Sequence, residues 1–159
     1  MIPVTIIRHP KERLDKCSLK HLQNRKEIHF FTAVKNFRFD ATGYLLLKLD
    51  APPLSPSDTG CPILILDSTW RLLLRLEACL EGKPLARSIP LGLKTAYPRV
   101  SKIFKDPPNG LASIEALYLT KYILGENDPS LLEGYHWKEG FLKEMHEWLN
   151  RNYCVAYRK

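Results

Sequence analysis

The chain has 159 residues and a mass of 18.4 kDa, room for one ordinary domain or two small lobes around one core. Hydrophobic residues make up 45% and charged ones 26%, which excludes general disorder, collagen-like repeats and small scaffolds that depend on staples. The 24 Lys and Arg against 17 Asp and Glu leave a net charge of +7 and a pI near 9.3. That balance fits a polyanionic partner, most commonly nucleic acid, or a soluble protein that happens to be basic.

In chain order, Val4 to Ile7 reads as a first strand stopped by His9-Pro10. Leu14 to Arg25 reads as a loop running into a short helix. Ile28 to Val34 and Tyr44 to Leu49 read as strands, the second after the turn signal Ala41-Thr42-Gly43. Ala51 to Gly60, with its prolines and serines, is a loop, and Ile63 to Leu66 is a short apolar run expected for a buried central strand. The period then changes. Trp70, Leu73, Leu76 and Leu80 follow helical spacing up to Gly82, so Asp67 stands at a strand-to-helix turn, where open α/β sheets collect ligands. Pro84 to Leu93 contains one more strand, and Lys94 to Gly110 is a long basic loop of a length that tends to be functional. Ser113 is the expected N-cap of a helix over Ile114 to Leu124, with Glu115 placed to meet the helix dipole. Gly125 ends that helix and Ser130 to Glu133 forms a short one. Trp137, Phe141, Met145 and Trp148 mark the apolar stripe of a final helix. The expected class is α/β, with a sheet-containing N-terminal lobe over residues 1–93 and a helical C-terminal lobe over 94–159.

No apolar run is long enough for a bilayer span, and Met1 to His9 turns to charge too soon for a signal peptide. Cys17, Cys61, Cys79 and Cys154 have no paired spacing of the zinc or redox kind, so reduced thiols in a cytoplasmic protein are expected. The histidines show no metal spacing either, and no metal is expected. P-loop, G-x-G-x-x-G and G-x-S-x-G motifs are absent.

Two groupings carry chemistry. Asp67 and Trp70 read as a helix cap and a core residue, yet the same acid and aromatic at a βα turn could hold an ammonium group and a nucleobase or apolar chain. Arg87, Lys94, Arg99, Lys102 and Lys105 bracket the long loop as a phosphate-binding strip or as a solvated charged surface.

Several segments, in order, resemble an aminocarboxypropyltransferase superfamily. Asp15-Lys16-Cys17-Ser18 followed by Lys20-His21-Leu22 is similar to the D-P-K-K-C-S-G-x-x-L segment of the small-subunit ribosomal RNA enzymes. Leu54-Ser55-Pro56-Ser57-Asp58 is similar to their L-S-P-x-D, Asp67-Ser68-Thr69-Trp70 to D-C-S-W, and Leu111 to Leu117 to L-S-x-V-E-A. Tyr122-Ile123-Leu124-Gly125 and His136 to Leu142 resemble Y-I-V-G and F-K-W-G-x-x-F-L. The stretch Arg87 to Arg99 departs from that pattern and is closer to the DTW-domain transfer-RNA enzymes, as are Asp67-Ser68-Thr69-Trp70 itself and Gly110 to Ala116.

The resemblance implies a SPOUT-like fold whose trefoil knot forms the site for S-adenosyl-L-methionine. It implies transfer of the 3-amino-3-carboxypropyl group to a uridine-type base of RNA, with ribosomal RNA favoured over transfer RNA, by a monomer. Asp67 is then expected to hold the ligand's ammonium or otherwise organise the reacting chain. Trp70 would pack on the ligand, Ser18 and Ser113 would make polar contacts, and the backbone from Leu91 through Leu93 to Thr95 would cradle the adenosine. The alternatives are a non-catalytic RNA-binding or ribosome-assembly factor and a SPOUT-type RNA methyltransferase.

Overall fold

Short runs rich in leucine and isoleucine form the strands, and every strand pair is parallel. The computed structural model describes residues 1–13, 17–90, 92–98 and 110–152. Its strands are β1 (Val4–Arg8), β2 (Ile28–Thr32), β3 (Phe39–Asp40), β4 (Leu45–Leu47), β5 (Ile63–Asp67), β6 (Leu80–Glu81) and β7 (Leu85–Arg87). Five of them make one sheet in the order β2-β1-β5-β4-β7, while β3 pairs with β6 alone. In the central pair Val4 lies opposite Ile63 and Arg8 opposite Asp67. All five carboxyl ends therefore share one edge, the edge at which parallel α/β sheets bind ligands.

Among the described residues the helices are α1 (Leu73–Glu77), α2 (Ser113–Ile123) and α3 (Lys138–Asn152), with 3-10 turns at Lys20–Leu22, Trp70–Leu72 and Pro129–Leu132. Side chains alternate across a strand, so each strand supplies both sheet faces. Ile6, Leu45, Ile63 and Ile65 pack in one core with Ile114, Leu117, Phe141, Met145 and Trp148. Ile7, Leu46 and Leu64 pack in a second with Ala41 and Leu76. The α3 stripe is buried at Phe141, Met145, Trp148 and Leu149, as its spacing predicts. Residues on both sides of position 93 share the first core. No helix among the described residues is long and apolar enough to cross a membrane.

Two local expectations are corrected. The helix predicted through Leu80 stops at Glu77, and Leu80 instead pairs with Phe39 and packs on the second core. Gly82 permits this with φ 78°; a Cβ there would come 2.1 Å from Thr42 Oγ1. Ser113 does not cap α2. Ala112 takes the cap position, its N–H donating to Glu115 Oε2 at 2.9 Å, and Ser18 Oγ accepts the Ile114 N–H at 3.3 Å. Gly125, at φ 93°, follows the helix end as expected.

Candidate active site

β1 and β5, both buried, end side by side in opposite charges. Asp67 Oδ2 accepts from Arg8 Nε at 3.1 Å, and both side chains are only 7% exposed. An ion pair this dry needs further partners to offset desolvation. Asp67 has them: the Cys17 thiol donates to Oδ2 at 3.1 Å and the Ser113 hydroxyl to Oδ1 at 3.0 Å. Arg8 also donates from Nη2 to Cys17 Sγ at 3.1 Å and lies 5.0 Å over the Phe30 ring. Burial, with the Asp67 carboxylate beside it, pushes the Cys17 thiol up to about 12, so Cys17 serves as a neutral donor and not as a nucleophile. Sequence reasoning did not single out Arg8. The signal available was a charge continuing a buried strand, which has to be paired.

Ser113 carries this cluster to an open pocket. Leu47, Leu49, Ile65, Trp70, Ile89 and Leu111 make its walls, with Ser68, Ser113 and Lys48 as the polar groups. Few polar groups in a mostly apolar cleft at a sheet's carboxyl edge is the composition of a small-molecule site. The strand ends of β4, β5 and β7 and the start of α2 position it, because parallel pairing brings those ends together.

Glu115, expected to meet a helix dipole, does more. Its carboxylate is fully buried and accepts from Thr95 Oγ1 at 2.7 Å and from Ala96 N, Ala112 N and Tyr135 OH at 2.9 Å each. It thereby pins the segment around Thr95 to the start of α2.

The predicted site residues divide accordingly. Trp70, half-buried, and Ser113 line the pocket, and Asp67 stands one hydrogen bond behind Ser113. Ser18 is at the first turn of α2. Leu93 is buried in the first core, and Thr95 is bound to Glu115; neither is among the lining residues. Arg87 Nε donates to Asp58 Oδ2 at 3.0 Å, which holds the Asp58 carboxyl below the usual range. Lys94 is exposed. Leu91, Arg99, Lys102 and Lys105, with the Asp15-Lys16 part of the first motif, lie outside the described residues. Among the described residues no three His, Cys, Asp or Glu side chains come together as a metal set.

Fold and pocket together define a parallel α/β protein with a mostly apolar pocket at the carboxyl edge of its sheet. No known family and no curated protein matches the sequence. The chain is similar in structure to the SAM-dependent rRNA:acp-transferase Tsr3 from Vulcanisaeta distributa, with a TM-score of 0.71 and 24% identity over 95% of this chain and 83% of that one. At that identity the likeness shows a shared α/β fold.

Proposed function

We propose that the protein transfers the 3-amino-3-carboxypropyl group of S-adenosyl-L-methionine to a uridine-type base of RNA, with ribosomal RNA as the favoured substrate. The observation that carries this reading is the fold likeness, across 95% of the chain, to a structure described as a SAM-dependent rRNA:acp-transferase. The pocket's residues fit such a ligand. Trp70 with Leu47, Leu49 and Ile89 offers an apolar wall to a nucleobase, while Lys48 offers a donor to an amino-acid end, and the Ser68 and Ser113 oxygens, whose hydrogens go to the Thr69 carbonyl and to Asp67, offer acceptors. The sulfonium, when bound, supplies electrophilic carbon, and the outcome depends on which carbon is held at attack distance. Holding it is the task of this chain's own groups. Asp67 acts as a positioning residue: it fixes the Ser113 hydroxyl, and Arg8 and Cys17 fix Asp67. Ser18 holds the first turn of α2 on the same side. In the SPOUT-like arrangement we infer from the sequence, the Leu91 to Thr95 backbone, with Leu93 anchored in the core, lies along the adenosine. Glu115 secures its end at Thr95 and Ala96. RNA phosphates are assigned to Lys94, Arg99, Lys102 and Lys105, with Arg87 at the strip's edge.

The decisive test is label transfer. RNA incubated with carboxyl-labelled S-adenosylmethionine should gain label and leave methylthioadenosine. Label moving only from the methyl position would establish a methyltransferase. Ligand binding without any transfer would establish an RNA-binding or assembly factor. Small-subunit particles and isolated transfer RNA, assayed side by side, decide the substrate; modification of transfer RNA alone would favour the segments that resemble the DTW enzymes.

A further inference from the structure

β2 is an edge strand, and beyond it aromatic surface stands in solvent. Phe31 is 43% exposed and Val34 59%. The Phe31 ring lies 6.2 Å from Phe37 and 5.8 Å from Phe39, centroid to centroid, and Phe39 stands edge-on to Tyr44 at 5.3 Å. Phe37, Phe39 and Tyr44 are partly buried against the second core, which holds the row in place. Phe31 is thus a fixed ring with an open side.

The surroundings hold more cations than acids. Asp40, next to Phe39, and its strand partner Glu81 are exposed acids, whereas the stretch from His29 to Phe39 carries Lys35 and Arg38 and no acid. Both are exposed. Arg38 Nη1 donates to the Phe37 carbonyl at 2.9 Å, which keeps the guanidinium beside the aromatic row. Exposed Lys11 and Arg75 reach the same end of the sheet: after burial, their charges hold the His9 imidazole below its ordinary range. The Ala33 N–H donates to the Arg8 carbonyl at 2.9 Å, tying the aromatic segment to that end. A held ring among cations suits a planar base on a phosphate chain better than it suits a neutral protein patch.

We propose that Phe31, backed by Phe37 and Phe39 and flanked by Lys35 and Arg38, is a stacking platform for an unpaired stretch of RNA, separate from the pocket. The proposal rests on the reading of the protein as one that acts on RNA.

The probe is a single-stranded oligouridine carrying one fluorescent base, with its duplex as control, titrated by anisotropy without S-adenosylmethionine. Phe31→Ala should bind the single strand about tenfold more weakly with an unchanged salt slope, as loss of one stacked base predicts. Phe31→Tyr should bind like wild type. The Lys35→Ala/Arg38→Ala variant should instead flatten the salt slope by about 0.7 for each phosphate it no longer neutralises. Thermal melts of each variant check that the fold survives the substitution. No binding of the single strand by wild type, or equal binding by Phe31→Ala, overturns the platform. So does self-association that Phe31→Ala abolishes while RNA affinity is unchanged, which would make this face an interface between copies. The two readings fail separately. Wild type that binds the oligonucleotide through Phe31 but neither binds nor uses S-adenosylmethionine refutes the transferase and leaves the platform standing. Phe31→Ala with intact affinity and intact transfer refutes the platform alone.

Discussion

α2 meets a polar cluster near each of its ends, and the one at its start adjoins the pocket. At its start Ser113 joins the Arg8, Asp67 and Cys17 cluster. Near its other end Lys121, fully buried, donates to Glu126 Oε1 at 2.9 Å, and Ile2 N donates to Oε2 at 2.6 Å. Beside them Arg25 binds Glu27 at 2.6 Å, Ser130 at 2.8 Å and the Asp128 carboxylate. Both clusters obey the rule that buried charge must be paired. They differ in access to water: Glu126 and Asp128 keep about a fifth of their side-chain surface, whereas Asp67 keeps 7%. This second cluster lies at the amino ends of the strands, since Ile2 precedes β1 and Glu27 precedes β2, and it is a clasp that water can relieve. The carboxyl-edge cluster is sealed, and it reaches a cavity through a single hydroxyl.

The largest expected effect tests that difference directly. Asp67→Ala leaves Arg8 buried without its counter-charge and should cost about 3–5 kcal/mol in urea unfolding. Lys121→Met keeps the volume and leaves a carboxylate that water and the Ile2 amide still serve, so it should stay within about 1 kcal/mol of wild type. Equal losses would erase the contrast. Next, Trp70→Ala should weaken S-adenosylmethionine by about 1–3 kcal/mol in calorimetry, the usual worth of an apolar pocket contact, while Lys121→Met binds normally. Asp67→Asn should slow single-turnover transfer more than it weakens binding, as a positioning role requires; equal effects would return Asp67 to a purely structural part.

A third contrast lies in pH dependence, where the two clusters should show opposite signs. Between the ordinary thiol value of 9.0 and about 12, Cys17 ionises in the unfolded chain and not in the folded one. Stability should therefore fall as pH rises through that window, and Cys17→Ala should remove that share of the loss. At the amino edge, against burial that would raise it, hydrogen bonds from Ser130 and the Arg25 guanidinium hold Asp128 below its ordinary 3.8. There the unfolded chain takes up the proton first, so stability should fall as pH drops below about 4, and Asp128→Asn should flatten that acid limb. Denaturation midpoints measured across both ranges check the two signs.

Periodicity was enough to read β1, β2, β4, β5, β7, the two long helices and the placing of Asp67 at a strand end. Each of those rests on local spacing and burial. What spacing could not supply was competition from distant partners. Leu80 continues a helical pattern, yet Phe39 offers it a strand. Ser113 has the chemistry of a cap, yet Asp67, 46 positions away, takes its hydroxyl, and Ser18, 96 positions away from Ile114, serves the helix instead. The pocket walls from β4 and β7 became visible only with the strand order, since all-parallel pairing is what gathers their carboxyl ends.

Arg8 and Asp67 are also register partners in the central ladder, 59 positions apart in the chain. A slip of β1 by one residue along β5 would turn its alternating side chains to the wrong faces and bury two opposite charges out of reach of each other. Misaligned sheets are thus penalised at the point where the pocket's supporting hydroxyl is held. The pair acts as a proofreader of assembly: the pairing that lets the sheet close correctly also sets Ser113 in place, so a chain that has folded stably has its pocket already formed.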